Sequence, residues 1–348
     1  MPRSKIQARG AEEPLRRRRT KLGFRQSDLP ESPRVLGMGG GSRAGGTARW
    51  AAGAVVTSFD RIVVIFNPAS SGPAEQLAEE LRSDLARRLP TMPVSLLRTR
   101  RAGHARELAR DTAATGRPLI VSVSGDGGYN DVVDGVMQSG NTDAVCAVRA
   151  AGNANDHRRA TRQRPLAEAI EAGEIHRIDL LRLTVGTGAT AHTQYAHSYI
   201  GVGLTPAVAE DLEREGGGSL REIGSALRTF VRFRPFRVEL EDGSRPRFDS
   251  LLFANIHVMA KYATLSENGR LDDGLFEVIA LRHTAKWRLL GVALKAATRG
   301  LGPQPTASRY TFTTLKPTPL QLDGELLMVD AATPVQVDIA PAALATVS

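Results

Sequence analysis

Hydrophobic and polar positions follow two patterns in turn between residues 61 and 150. The run at 62–66 is continuous and mostly β-branched, a pattern typical of a strand buried on both faces. Leucines then recur at every fourth position from 77 to 89 among charged residues, along one side of a predicted helix. Further strands are predicted over 94–97, 119–123 and 144–148, and further helices over 105–114 and 130–138. This succession predicts an α/β fold on a parallel sheet with both faces covered.

The second half of the chain has a different texture, in which short β-rich segments prevail. Strands are predicted over residues 180–185, 198–202, 237–241, 251–258, 276–281, 309–314 and 335–339, interrupted by helical stretches at 206–215 and 220–233. Many short strands with few helices favour a second domain made mainly of antiparallel strands. The sequence therefore predicts one domain over 59–178 and another over 179–348.

Positive charge is concentrated in the first 58 residues. The chain of 348 residues has a formal net charge of +9, and residues 1–58 hold 12 Lys and Arg against 4 Asp and Glu. This segment is rich in Arg, Gly, Ser and Pro without a periodic apolar pattern, so we predict a disordered basic tail. The tail either contacts anionic lipid or nucleic acid or is an inert extension. The rest is nearly neutral, so we expect no specific nucleic acid partner.

The cysteine content and the lengths of the apolar runs bear on the cell compartment. Cys146, the single cysteine, lies in an apolar run and fits a small core residue in a reducing cytoplasm. No run approaches the roughly 18 apolar residues that span a bilayer. We therefore expect a cytoplasmic protein that is soluble or peripheral at the inner face of the membrane.

The strongest local motif is the turn Ser124-Gly125-Asp126-Gly127-Gly128 between the third predicted strand and the next helix. Ligands of open parallel sheets bind outside the carboxyl ends of the strands. Glycines let the backbone approach a phosphate, and the following helix presents free N–H groups. Asp126 is then expected to hold Mg²⁺ or accept a proton. A tight turn with Asp126 as an N-cap explains the same residues without a ligand, so both interpretations stay open.

Two more polar loops of small residues follow the first and fourth predicted strands, at 67–72 and 150–156. Parallel strands bring all three loops to one edge of the sheet. Small residues expose backbone amides there, and Asn155 and Asp156 can bond to ribose, phosphate or the opposing loop. The chain has neither a G-x-x-x-x-G-K-[ST] phosphate loop nor a G-x-G-x-x-G fingerprint, which disfavours P-loop enzymes and dinucleotide dehydrogenases.

These motifs resemble those of a known family. Residues 124–131, S-G-D-G-G-Y-N-D, resemble the G-G-D-G-T-x-N-E signature of diacylglycerol kinases and the S-G-D-G variant of sphingosine and ceramide kinases. The loops at 67–72 and 152–156 are similar to the family's N-P-x-S-G and P-x-G-T-x-N-D elements. Thr99 with residues 103–105 is similar to its T-x-x-x-G-H-A element. Residues 271–278 and 322–325 match its D-D-G-x-x-x-V and D-G-E elements, in the expected order.

The resemblance implies a fold and a nucleotide site. The implied fold is a Rossmann-like parallel-sheet nucleotide domain followed by a β-sandwich-like domain, as in NAD kinases and diacylglycerol kinases. The implied cofactors are ATP and Mg²⁺, with ATP in the cleft between the domains. The residues implied to bind it are Asn67, Ser70, Ser71, Thr99, Gly125, Asp126, Gly127, Gly128, Asn130, Gly152, Asn153, Asn155 and Asp156.

Four carboxylates receive roles from the resemblance. Asp323 is implied to accept the proton of the substrate hydroxyl, with Glu325 supporting it or the metal. Asp126 is implied to be catalytic and to hold Mg²⁺. Asp273 of the D-D-G element is implied to hold a structural Mg²⁺. Asp-Gly is also a standard hairpin signal, so without the family order the segments at 272–274 and 323–325 would be predicted as ordinary turns.

The activity implied is ATP-dependent phosphorylation of a hydroxyl of diacylglycerol or a related lipid. The expected partners are a lipid alcohol and the membrane surface, with homodimer formation left open. The chain departs from the family pattern where Gly128 and Asn153 stand in place of Thr, so two hydroxyl contacts to phosphate are missing or moved. A kinase for a soluble hydroxyl substrate, a degenerate nucleotide-binding pseudokinase and a tail-driven nucleic-acid binder are the alternatives.

Overall fold

A computed structural model describes most of the chain from Phe59 onward. The described residues are 59–70, 72–152, 155–161, 164–203, 234–256, 258–259, 263–264, 270–285, 287–288, 291–292, 295 and 298–347. The predicted tail at 1–58 and the predicted helices at 206–215 and 220–233 lie outside these residues.

Four parallel strands form the first part of the fold, in the order β4-β3-β1-β2. Their bounds are β1 (Arg61–Phe66), β2 (Val94–Arg98), β3 (Pro118–Ser124) and β4 (Val145–Ala150). Side chains of β1 are buried on both faces of the sheet, with Ile62 and Val64 in one core cluster and Val63 and Ile65 in another. This two-sided burial explains why the sequence of β1 is continuously apolar.

Helices cover both faces of this sheet. Those of the described chain are α1 (Ala74–Arg88), α2 (His104–Ala113), α3 (Asp126–Ser139), α4 (Asp156–Thr161) and α5 (Leu166–Ala172). Leu81 and Leu85 of the predicted leucine stripe are buried against the sheet. The prediction for α3 was wrong at its start, because the chain enters the helix at Asp126, directly after an extended Gly125. The sequence analysis did not predict α4 and α5.

Antiparallel strands form the second part, a sandwich of two layers. Their bounds are β5 (Ile175–Val185), β6 (His192–Ala196), β7 (Tyr199–Gly203), β8 (Phe236–Glu239), β9 (Arg247–Ala254), β10 (Val258–Met259), β11 (Ala263–Thr264), β12 (Phe276–Arg282), β13 (Thr306–Ala307), β14 (Arg309–Thr314), β15 (Thr318–Leu322), β16 (Glu325–Val329) and β17 (Pro334–Val347). One layer contains β16, β15, β7, β9 and β12, and the other contains β6, β5, β17 and β14. Side chains from both layers share one core cluster, which includes Phe253, Phe276, Phe312 and Val337. The predicted mixed α/β fold class is confirmed.

Two long strands belong to both parts. The start of β5 pairs with residues 344–347 of β17, and the rest of β5 pairs with residues 335–340. Ala345 and Thr346 also pair in parallel with β4, so the last strand of the chain completes the first sheet. The boundary predicted between residues 178 and 179 therefore falls inside β5, which runs from beside the parallel strands into the antiparallel part.

Candidate active site

The three glycine-bearing loops meet at the carboxyl ends of β1, β3 and β4. A Cβ atom added to Gly152 would collide with the Cα of Gly125, and one added to Gly72 would lie 2.5 Å from the carbonyl oxygen of Ala151. Backbones this close leave no room for a side chain. The amide of Ala151 also donates to the carbonyl oxygen of Ser124 at 2.9 Å. The contact between the loops therefore requires these glycines, whatever ligand they hold.

Asp126 begins α3, but its carboxylate caps a different helix. Its two oxygens accept hydrogen bonds from the amides of Asp156 and His157, at 3.1 and 3.2 Å, where α4 begins. Gly125, not Asp126, is the N-cap of α3. Burial raises the pKa of Asp126 to about 6, and the charge of Asp156 acts in the same direction. Asp126 thus ties the glycine turn to the third loop.

Asn155 closes the third loop on itself. Its φ of 51° is in the left-handed region, which Asn tolerates better than most residues. Its Oδ1 accepts from the amide of Gly152 at 3.1 Å, and its Nδ2 donates to the Gly152 carbonyl at 2.7 Å. The side-chain amide is therefore already bonded within the loop, and it fixes the position of Gly152.

A cavity of about 340 Å³ lies beside the first two loops. Residues that line it include Asn67, Thr99, Ser122, Ser124, Gly128, Asp131, Arg100 and Arg101. Ligand pockets typically measure about 300–1,000 Å³, so the cavity is of ligand size. Thr99 is buried at its wall, held by a hydrogen bond from its amide to the carbonyl of Phe66 at 3.0 Å. The two arginines at the cavity, Arg100 and Arg101, suit an anionic ligand.

Asp323 and Gly324 form the hairpin turn between β15 and β16. Leu322 pairs with Glu325 across the turn. Asp323 and Gly324 have φ values of 45° and 100°, as a two-residue type I′ turn requires. The ordinary-turn interpretation is therefore correct for the backbone. The side chain is unlike that of an ordinary turn residue, because Asp323 has 0% of its surface exposed.

The carboxylate of Asp323 points into the protein and is held by backbone amides. It accepts hydrogen bonds from the amides of His197 at 2.7 Å, Ser198 at 3.2 Å and Tyr199 at 2.8 Å. Burial raises the pKa of Asp323 to about 7, against the opposing effect of these amides. A carboxyl group that titrates near neutrality can take up and release a proton, as a general base must.

The Asp323 turn lies against the glycine turn that begins α3. A Cβ atom on Gly127 would lie 3.5 Å from the carbonyl oxygen of Asp323, and one on Gly324 would lie 3.8 Å from the backbone of Gly127. The charge of Asp323 also contributes to the raised pKa of Asp126. The two turns, far apart in the sequence, therefore lie against each other, and we call the region where they meet the crevice.

Two buried histidines lie behind this crevice. The rings of His157 and His197 are 4.7 Å apart, and the ring of Tyr129 lies 4.8 Å from that of His197. Burial lowers the pKa of His197 to about 3 and that of His157 well below its usual value, so both rings are neutral. Nε2 of His197 lies 3.4 Å from both Oδ2 of Asp323 and the carbonyl oxygen of Asp126. Because both neighbours are acceptors, Nε2 carries the proton.

Arg106 of α2 joins carboxylates from both parts of the fold. Its Nη2 lies 2.8 Å from Oδ1 of Asp131 and 2.6 Å from Oε2 of Glu325, and its Nε lies 3.0 Å from Oδ2 of Asp134. Asp131 and Asp134 are on α3, whereas Glu325 begins β16. Glu325 is therefore paired with Arg106 rather than with Asp323. No sequence signal pointed to Arg106 or to either histidine, since none belongs to a motif that the family resemblance assigns to the site.

Asp273 lies in the bend that precedes β12. Its Oδ1 accepts from the amide of Leu275 at 3.1 Å, and the side chain is exposed. The nearby Asp179 is buried, and its two oxygens accept from the amides of Gly274 and Ala342, both at 2.7 Å. Asp179 thus ties the D-D-G segment to β17. Within the described ranges, no group of three or more His, Cys, Asp or Glu side chains is arranged to hold a metal ion.

Of the remaining predicted residues, three lie in the described part of the chain: Asn67, Asn130 and Ser70. Asn67 lines the cavity, and its Oδ1 accepts from the amide of Ala69 at 2.9 Å. Asn130 is buried in α3, where its Oδ1 has no hydrogen-bond partner among the described residues. Ser70 is partly exposed at the end of the described part of the first loop. Ser71 and Asn153 lie outside the described residues.

Glycine loops on a parallel sheet, faced by a buried carboxylate from a second sheet, define a class of α/β protein suited to a phosphate-bearing ligand beside a proton acceptor. Residues 61–183 match the family model of the diacylglycerol kinase catalytic domain, so the chain contains a domain of this family and the resemblance is confirmed.

Known proteins extend the likeness beyond that domain. The probable lipid kinase YegS-like protein of Chromohalobacter salexigens is 27% identical over 222 residues, which are 58% of this chain and 69% of the relative. The crystal structure of a diacylglycerol kinase from Bacillus anthracis strain Sterne is 18% identical with a TM-score of 0.64, covering 84% of this chain and 98% of that chain. The chain is therefore similar in sequence to a probable lipid kinase, and its fold extends over nearly the whole of a solved diacylglycerol kinase.

Proposed function

We propose that this protein is an ATP-dependent lipid kinase that phosphorylates a hydroxyl of diacylglycerol or a related lipid alcohol. The observation that carries the proposal is the burial of the Asp323 carboxylate in a turn packed against Gly127. Phosphoryl transfer requires positioned phosphates, neutralised charge and a group that orients the nucleophile. The crevice provides a place for each of these.

The nucleotide phosphates would lie on the loops at the sheet edge. The glycine turn and the N-terminus of α3 offer backbone amides and a partial positive charge to an anion. Asn67 and Thr99 line the cavity beside that turn, and Arg100 adds a cationic side chain. The glycines at 125 and 152 let the loops come close enough together to surround the ligand. This assigns the nucleotide to the parallel-sheet part of the fold.

The acceptor hydroxyl would approach from the side of Asp323. Its oxygen attacks the terminal phosphorus, the bond from that phosphorus to the bridging oxygen of the leaving diphosphate breaks, and Asp323 takes the hydroxyl proton. Amides 197–199 hold the Asp323 carboxylate in place. The Nε2–H of His197 faces the same carboxylate. The base is therefore fixed before the substrate arrives, which reduces the reorganisation required during the reaction.

The donor set fits a Mg²⁺ shared with phosphates. Mg²⁺ beside nucleotides is usually held by one or two carboxylates together with phosphate oxygens, and it shields their negative charge. Each Asp126 oxygen accepts one amide hydrogen bond and retains a lone pair, so Asp126 is the proposed ligand. Around Asp273 the described residues form no group of three or more His, Cys, Asp or Glu side chains that could hold a cation. Asp273 therefore stays an untested metal ligand.

The surface next to the Asp323 turn favours a lipid over a soluble acceptor. On β16, immediately after Glu325, the side chains of Leu326 and Met328 are 37% and 63% exposed. Apolar side chains exposed beside a catalytic carboxylate suit an acyl chain or the membrane surface. No described helix is long and apolar enough to span a bilayer. We therefore propose peripheral contact with the membrane at this edge.

The test is phosphorylation by labelled ATP and Mg²⁺ in two parallel reactions. One contains total lipid extract in mixed micelles and the other contains soluble sugars and polyols. A labelled lipid product is the expected result. Label only in soluble compounds would contradict the lipid assignment, and ATP binding without any product would favour the pseudokinase alternative.

A matched pair of Asp-Gly turns provides the variant control. Asp323→Asn is expected to lower turnover at least about 10³-fold, because it removes the proton acceptor. Asp242 precedes Gly243 in another turn, but it is exposed and bonds only its own turn. Asp242→Asn should therefore leave turnover unchanged. Full turnover by Asp323→Asn would remove the proposed mechanism.

A further inference from the structure

Ser124 ends β3 and lines the cavity together with Gly128 of the next helix turn. A Cβ atom added to Gly128 would lie 2.7 Å from both the Cβ and the Oγ of Ser124. Cβ atoms do not approach one another this closely in folded proteins, and the Cβ of Ser124 cannot rotate away. A side chain at 128 and a side chain at 124 are therefore mutually exclusive in this backbone.

The G-G-D-G-T form of the family signature has the opposite arrangement at these two positions. The diacylglycerol kinase signature has Gly at the position of Ser124 and Thr at the position of Gly128. In this chain the glycine and the hydroxyl-bearing residue have changed places between positions 124 and 128. The hydroxyl group therefore lies in nearly the same region of the site. The collision between the two side chains gives a physical reason for the exchange.

The Ser124 hydroxyl is placed to bond a ligand. Its Oγ lies 2.7 Å from Oγ of Ser122 and 3.0 Å from the carbonyl oxygen of Gly125. Ser122 can donate its proton to Ser124, which leaves the Ser124 proton for the Gly125 carbonyl or for an acceptor in the cavity. A phosphate oxygen is a stronger, charged acceptor than the carbonyl.

We infer that Ser124 is a phosphate-binding residue of this site and that its hydroxyl replaces the one that relatives carry at the position of Gly128. The inference rests on the proposed function, since it takes the cavity as the phosphate site. It also explains how the glycine turn keeps a hydroxyl contact despite lacking Thr.

The test is a two-position exchange, read by calorimetric binding of ATP, of inorganic tripolyphosphate and of adenosine. Ser124→Ala removes only the hydroxyl and is expected to weaken ATP and tripolyphosphate binding about tenfold, the usual effect of losing a hydrogen bond to a charged group. Adenosine binding should not change, because adenosine has no phosphate. Ser139→Ala, at the far end of α3, is the control and should bind all three ligands as the parent chain does.

A double variant distinguishes the loss of this hydroxyl contact from a general disruption of the site. Gly128→Thr alone should weaken ATP binding more than Ser124→Ala does, because the new side chain collides with Ser124. Ser124→Gly combined with Gly128→Thr removes the collision and restores a hydroxyl, so ATP affinity should return to within about threefold of the parent chain. Thermal unfolding of each variant establishes that it folds.

Two outcomes would overturn the inference. One is unchanged tripolyphosphate affinity in Ser124→Ala, and the other is a double variant no better than Gly128→Thr alone. Neither depends on finding the lipid. If ATP-dependent phosphorylation were present and Ser124→Ala were unaffected, the kinase proposal would stand and this inference would fail. If tripolyphosphate binding required Ser124 but no acceptor were phosphorylated, the inference would stand and the proposed function would fail.

Discussion

The two parts of the fold hold their key aspartates in different ways. In the parallel-sheet part, Asp126 begins a helix, and its carboxylate accepts amide hydrogen bonds from residues 156 and 157 of the next loop. In the sandwich part, Asp323 sits in a hairpin turn and accepts amide hydrogen bonds from residues 197–199. Burial raises the pKa of Asp126 to about 6 and that of Asp323 to about 7.

The difference between the two aspartates indicates a division of work. Asp126 is only partly buried and joins two loops at the sheet edge, where phosphates and a cation would lie. Asp323 has no exposed surface and is oriented by three backbone amides, as suits a group that exchanges a proton. In this proposal the parallel-sheet part provides the site for phosphates and a cation, and the sandwich part provides the base. Substitutions in the two parts should therefore affect ATP affinity and turnover differently.

The largest effect is expected at Asp126. Asp126→Ala removes the proposed Mg²⁺ ligand and the cap of α4, so ATP-dependent phosphorylation should fall at least about 10³-fold. Loss of the cap should lower the free energy of unfolding by about 1 kcal/mol, which leaves the protein folded. Activity with labelled ATP and chemical denaturation measure the two effects.

Asp111 on α2 is the matched control for Asp126, because its side chain is 70% exposed and pairs only with its neighbour Arg110. Asp111→Ala should change neither activity nor stability. Loss of stability without loss of activity in Asp126→Ala would mean that Asp126 is a cap and nothing more.

The next effect is expected at the contact between loops. Gly152→Ala places a methyl group against the Cα of Gly125, so the two loops must separate. We expect ATP affinity to fall about 10²-fold, because the amides no longer converge on the phosphates. Gly291→Ala is the control, since a Cβ atom there meets nothing within 4 Å. Equal ATP affinity in both variants would show that the nucleotide does not lie on these loops.

The sequence predicted this part of the site well because its information is local. Each glycine loop follows a recognisable buried strand, and the carboxyl ends of parallel strands meet at one edge. The close approach of Gly125 and Gly152 follows from that rule together with the small residues. The start of α3 was predicted too late, since a turn rich in Gly gives no helix signal although its backbone is already helical from Asp126.

The sandwich side of the site was predictable only in outline. The Asp323-Gly324 pair indicated a hairpin, and only the family order suggested a catalytic carboxylate. Its burial depends on the amides of residues 197–199, which come from a distant strand connection. Glu325 was predicted to support Asp323 or the metal, and that role stays a prediction; the structure pairs it with Arg106. Long-range ion pairs of this kind have no fixed sequence spacing, so no local pattern reveals them.

Arg106 provides a test of the link between the two parts. Arg106→Met keeps the bulk of the side chain but leaves Asp131, Asp134 and Glu325 without their shared cation. We expect the free energy of unfolding to fall on the order of 2 kcal/mol, less than for a fully buried pair because Arg106 is 21% exposed. Turnover should fall about tenfold through misplacement of β16.

Arg106→Lys is the companion variant. Lysine keeps the charge but has no planar fork to reach carboxylates on two elements at once. We expect an unfolding free energy between those of the parent chain and Arg106→Met. ATP binding should be nearly unchanged in both variants, because the substitutions displace β16, which lies on the acceptor side of the proposed site. A large loss of ATP affinity in Arg106→Met would instead place Arg106 at the phosphates.

The smallest effect is expected from pH, and it should act oppositely on turnover and on stability. A base with a pKa of about 7 is mostly protonated at pH 6, so turnover at pH 6 should be about fivefold below that at pH 7. Because the pKa of Asp323 is higher in the folded state than the ordinary value of about 3.9, the folded state holds more protons between these values. The free energy of unfolding should therefore fall as pH rises through this window and level off above pH 7. Asp323→Asn should reduce that slope, leaving the part that Asp126 contributes, whereas Asp242→Asn should retain all of it. If turnover were independent of pH from 6 to 8 while the slope persisted, Asp323 would be a buried structural carboxylate and not the base.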